Sequence, residues 1–107
     1  MKRIGFHSKA RDELDHAIGY YEEQKQGLGL DLRAEVEKAA SKIQENPDLG
    51  SPYKIEGFQY VLVHRFPYVV YYANLPDYIW IVAIAHARRR PGYWRKRQVE
   101  SIGDQAT

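Results

Sequence analysis

The chain of 107 residues contains no cysteine. Disulfide frameworks and thiolate chemistry are therefore closed to it. No apolar run approaches the length of a membrane span. Met1-Lys2-Arg3 leads into no hydrophobic stretch of the signal-peptide kind. The expectation is a cytoplasmic protein with no membrane contact. The four histidines are His7, His16, His64 and His86, and no two stand one helical turn apart. A metal site is thus not expected. Nucleophile elbow, phosphate loop and dinucleotide fingerprint are all missing, and "GLG" at 27–29 is a turn signal only. No cofactor is expected, and no internal repeat or low-complexity segment interrupts the chain.

What is present is enough for one domain, read here as spanning residues 1–107 with 98–107 a frayed tail. A chain of this size buries roughly two thirds of its unfolded surface, sufficient for a core of its own. Hydrophobic residues make up 44% and nine residues are tyrosine, which argues against disorder. Charge is divided unevenly. Residues 1–49 carry eight basic and ten acidic side chains, whereas residues 50–107 carry eight and four. Six of the ten residues from Arg88 to Arg97 are basic, with Tyr93 and Trp94 between the two basic runs. Such a concentration suggests an anionic partner, a nucleic acid or an acidic protein segment.

Periodicity sets the architecture. "KRIGFH" (2–7) places Ile4 and Phe6 at period two and predicts a strand. Ser8 is the expected cap of a helix carrying Ala10, Leu14, Ala17, Ile18 and Tyr21 as one apolar stripe. "QKQGLGL" breaks it at Gly27 and Gly29, and a second helix follows, capped by Asp31 or starting at Leu28. Leu32, Val36, Ala39, Ala40 and Ile43 form its stripe. "ENPDLGSP" closes that helix. The two helices form an antiparallel hairpin, joined by a short glycine loop. Glu22 and Glu23 read as solvated surface at a helix end. Three strands follow: 58–66, 68–75 and 78–87. Their short gaps exclude helical crossovers, so they form an antiparallel meander. The fold class is α+β: an N-terminal strand, a helical hairpin, then a three-stranded meander, with both helices on one face. The apolar run Tyr78–Ala85 predicts a strand covered on both faces.

In a meander the first and third strands point the same way. Arg65, His86, Arg88 and Tyr93 could therefore meet at one sheet edge. Arginine holds phosphate bidentately, histidine or tyrosine can move protons, and Tyr93 and Trp94 can stack on bases. Each has a plainer explanation: a half-buried histidine for His86, a surface ion pair for Arg65, packing for Trp94.

The stretches "FHSKARDELDHAIGYYEEQKQGLGLDL", "ENPDLGSP", "RFPYVVYY" and "HARRRPGYWRKR", in this order and spacing, resemble the ParE/RelE toxin superfamily, most of all its ParE-like, plasmid-stabilisation branch. The resemblance covers about Ile4 to Arg97. It implies a type II toxin neutralised by a co-encoded antitoxin. It also implies one of two targets: DNA gyrase, inhibited by binding, or ribosome-bound mRNA, cleaved. The nuclease branch places lysines on the first meander strand and an arginine on the second. Val61, Val63 and Val70 stand at about those positions here, and valine cannot hold a phosphate. This favours a gyrase-binding toxin over a ribosome-dependent endoribonuclease acting through Arg65, His86, Arg88 and Tyr93. A superfamily member that binds without toxicity is the third reading. Under the first, Arg88, Arg89, Arg90, Tyr93, Trp94, Arg95 and Arg97 read the target or the antitoxin. The groove between hairpin and meander takes an antitoxin segment.

Overall fold

The structure is a computed structural model that describes residues 1–99. Its elements follow the predicted order. Strand β1 (Arg3–Phe6) leads into helices α1 (Ser8–Gln24) and α2 (Leu28–Glu45). Then come β2 (Ser51–Pro52), β3 (Gln59–Leu62), β4 (Tyr68–Asn74) and β5 (Tyr78–His86). The predicted tail beyond residue 99 lies outside the described residues.

The five strands form one sheet in the order β1-β5-β4-β3-β2. β3, β4 and β5 are the predicted antiparallel meander. β1 runs parallel beside β5, pairing Arg3 with Tyr78 and Phe6 with Ile81. The two-residue β2 was not foreseen, since a segment ending in proline carries too little pattern to read as a strand.

Both stripes pack as their periods require. Ala10, Ala17, Leu32, Val36, Ala39 and Ile43 meet Val63, Val70, Tyr72, Ile79, Ile81 and Ile84 on one face of the sheet. The opposite face is also covered. Tyr78, Trp80, Val82 and Ala83 of β5 meet Tyr53, Phe58, Tyr71 and Trp94 there. That double cover explains why every residue of β5 but the last is buried.

Caps and turns depart from the sequence reading in two places, His7 and Glu22, and decide between its two alternatives for the start of α2. His7, not Ser8, caps α1, its side chain accepting a hydrogen bond from the Lys9 amide at 3.1 Å. Asp31 does not cap α2, which begins at Leu28 after Gly27 in the left-handed region at φ 89°. Glu22 is no bystander. Its carboxylate accepts from the Gly27 and Gly29 amides at 2.8 and 3.0 Å, capping the start of α2 from α1. Gly29 is inside α2 because a β-carbon there would collide with the Ile18 carbonyl oxygen of α1.

β1 pairs only the first half of β5. Beyond Ile81 that edge has no strand neighbour among the described residues. Here β5 also carries a bulge. Tyr71 faces Ala83 and Tyr72 faces Ile81, leaving Val82 without an opposite residue. Val82 and Ala83 consequently face the same side of the sheet. The backbone groups at this open edge need partners, and the candidate site is built around them.

Candidate functional site

The chain leaves β5 at His86 and descends through successive tight turns, closed by the Arg89, Tyr93, Arg95 and Arg97 amides donating to the carbonyls of His86, Arg90, Gly92 and Trp94. Gly92 takes a positive φ of 71°. These turns drive Trp94 under the sheet, where it is 1% exposed. Its ring lies 4.8 Å from Phe58, 5.0 Å from Tyr71 and 5.5 Å from Tyr53. Trp94 is therefore core, and the expectation that it reads a target or antitoxin at the surface is corrected. Apolar burial is stronger than any surface role for so large a ring.

Tyr93 and Arg97 turn the other way, toward α1. The Tyr93 hydroxyl donates to one oxygen of Glu13. The Arg97 guanidinium reaches both oxygens of Glu13, at 3.0 and 2.8 Å. Glu13 also accepts from the Ile84 amide at 3.1 Å, and Arg97 donates to the Val82 carbonyl at 2.8 Å. Those are the backbone groups left open at the β5 edge. One ion pair thus closes the sheet, anchors the C-terminal segment and ties both to the helical layer. Burial pushes the Glu13 carboxyl up, but hydrogen bonds from Arg97, Tyr93 and Ile84 and the Arg97 charge outweigh it and hold it below the ordinary glutamate value. Burial and the neighbouring Glu13 carboxylate both push the Tyr93 hydroxyl up. Burial alone would lower Arg97, yet Glu13 keeps it firmly protonated.

The expected meeting of Arg65, His86, Arg88 and Tyr93 is only partly realised. His86 lies edge-on to Tyr68 at 5.3 Å, and its Nδ1 accepts the Arg88 amide at 3.1 Å. Arg65 sits in the β3–β4 turn with a positive φ of 72°. Its guanidinium turns to Asp31 of α2, 3.8 Å away. Tyr93 has one hydroxyl hydrogen, and it is donated to Glu13. Arg97 is likewise spoken for, so it is no free cation for a target. Arg88, Arg89, Arg90 and Arg95 are exposed.

The nuclease comparison at Val61, Val63 and Val70 needs a change of register. Val63 and Val70 are 5% and 1% exposed, and Val61 packs beside them under the helices. No substrate reaches that face. Alternation puts Tyr60, Leu62, Val69 and Tyr71 on the other side, where Tyr60, Val69 and Tyr71 line a cleft of about 400 Å³ with Lys54 as its one cation. Sequence reasoning picked the wrong face, but the outward face is as poor in charge. No group of histidine and carboxylate residues among those described could hold a metal ion.

The family model described as "ParE toxin of type II toxin-antitoxin system, parDE" matches residues 4–91. The chain belongs to the ParE toxin family. The match takes in Glu13 and the meander and stops before Tyr93 and Arg97. A solved structure titled "Chromosomal ParDE TA system from P. aeruginosa" shares the ParE fold with this chain at a TM-score of 0.73 and 18% identity, covering 80% of this chain and 96% of that one. No curated protein matches the sequence. No helix among the described residues is long and apolar enough to cross a membrane.

Proposed function

We propose that this ParE-family chain is a toxin that acts by binding DNA gyrase and is held inactive by a co-encoded antitoxin. The observation that carries binding over cleavage is the charge-poor outward face of β3 and β4: Tyr60, Leu62, Val69 and Tyr71 offer a phosphate no cation. The state of Tyr93 points the same way. A tyrosine whose hydroxyl is already given to a carboxylate, with its proton held more tightly than usual, is a poor general acid for a leaving oxygen.

The exposed cations Arg88, Arg89, Arg90 and Arg95 are the proposed target-reading surface. The antitoxin is assigned to a different place. A groove of about 610 Å³ has Ile4, Phe6, Leu14, Ile18, Val36 and Ala40 in its lining. Arg11, Asp15, Arg33 and Glu37 also line it. It lies between the hairpin and β1, not between the hairpin and the meander, because Val63, Phe66 and Val70 already fill the meander side. An apolar floor with mixed charge around it suits an amphipathic segment.

The rival reading is a ribosome-dependent endoribonuclease using Arg65, His86, Arg88 and Tyr93, for which the nearness of His86 to the exposed Arg88 is the favourable feature. Growth on induction tests the binding surface. Arg89→Glu with Arg90→Glu should melt like wild type yet lose growth arrest. Full arrest by that variant would remove the basic segment from the target contact.

A further inference from the structure

Two clefts adjoin along the basic segment and share Tyr93 and Lys96. The first, of about 620 Å³, is lined among others by His7 and Lys9 from the start of α1 and by Arg89, Lys96 and Arg97. The second, of about 440 Å³, adds Arg90 and Arg95. Among the described residues no aspartate or glutamate lines either one. Arg97 is neutralised by Glu13. That leaves Lys9, Arg89, Arg90, Arg95 and Lys96, all exposed, and none in an ion pair among the described residues. In a chain whose net charge is only +2, five cations along one depression with no acidic neighbour among the described residues are a concentrated patch, not diluted surface charge. The 17-residue helix α1 ends its positive pole there, with no acidic residue in its first turn.

We infer that this double cleft is a binding site for the phosphodiester backbone of a nucleic acid, built jointly by the N-terminus of α1 and the segment after β5. Two features favour phosphate over an acidic peptide, and a third speaks against base stacking. The β5 edge beside these cations offers an extended peptide few main-chain partners, since Glu13 holds the Ile84 amide and Arg97 the Val82 carbonyl. The guanidinium forks of Arg89, Arg90 and Arg95 are suited to phosphate oxygens, while the Lys9 amide at the start of α1 is already capped by His7. The Tyr93 ring carries the Arg89 guanidinium 4.0 Å and the Arg97 guanidinium 5.2 Å from its centroid, so it is taken up by cations rather than offered to a base. The site therefore reads backbone charge without sequence preference. The cations carry this whether or not gyrase is the protein target.

The test is fluorescence anisotropy with labelled oligothymidylate, a labelled duplex of mixed sequence, and labelled oligoglutamate of equal charge, each across a salt series. One or both nucleic acids should bind. If single-stranded DNA releases counterions at three to five of these cations, the slope of log K against log salt is about −2 to −3.5. Oligoglutamate should bind at least about tenfold more weakly. Lys9→Glu with Lys96→Glu should lose about tenfold or more, and the milder Lys9→Gln with Lys96→Gln should lose less, while Lys42→Glu on α2 leaves binding unchanged. Absence of nucleic-acid binding by the wild type, equal or tighter binding of oligoglutamate, or retention of affinity by both cleft variants would overturn the site. A failure here would leave the supercoiling behaviour of the toxin untouched, so the two readings fail separately.

Discussion

Glu13 and Arg97 stand 84 positions apart in sequence and meet as a two-pronged ion pair at 3.0 and 2.8 Å. Their side chains are 16% and 11% exposed. The pair replaces the strand that β1 is too short to provide along β5, since its two members satisfy the Ile84 amide and the Val82 carbonyl. A cationic segment that would otherwise swing free is thereby fixed against α1.

This fixes a pH dependence. The folded-state pKa of Glu13 lies below its ordinary value. Its contribution to stability is therefore complete above the ordinary glutamate range and is lost as pH falls through the depressed folded value. Glu13→Gln should destabilise by about 2 kcal/mol near neutral pH, the scale of a hydrogen bond to a charged group. The gap between wild type and Glu13→Gln in thermal melts should close on acidification. A gap that stays constant down to acid pH would mean the carboxylate is not the anchor.

Trp94 makes the second prediction. With Phe58, Tyr71 and Tyr53 packed round it, Trp94→Ala opens a cavity and should cost about 3–5 kcal/mol. Urea unfolding measures it. A loss below about 1 kcal/mol would return Trp94 to the surface role first expected of it.

These two residues mark what the sequence could and could not convey. Helices, meander and core stripes were legible because apolar residues recur at 3.6 and 2 positions, and the burial follows that period. Lys9, Glu13 and Glu22 were not legible. Each is one polar residue on an exposed-looking helix, and what Glu13 and Glu22 do arises from partners brought close by topology, as does the proposed place of Lys9 beside the segment after β5. Glu13 meets residues more than seventy positions away. Glu22 caps a helix it does not belong to. The register error at Val61, Val63 and Val70 has a similar cause. Adjacent strand residues face opposite sides, and position in a motif does not say which side is open.

Tyr93 separates binding from chemistry. Tyr93→Phe removes one of the donors to Glu13 and should lower stability by about 1 kcal/mol. Growth arrest on induction should persist. Loss of arrest in a variant that still melts as a folded protein, with newly cleaved mRNA under wild-type induction, would instead make the hydroxyl catalytic.

The central claim is that this ParE-family toxin disables its target by binding. Purified chain titrated into a DNA gyrase supercoiling reaction, beside the same chain in a translation reaction with end-labelled mRNA, tests it most directly. Inhibited supercoiling with intact mRNA is the predicted result. Undiminished supercoiling with mRNA cut only in the presence of ribosomes would contradict it.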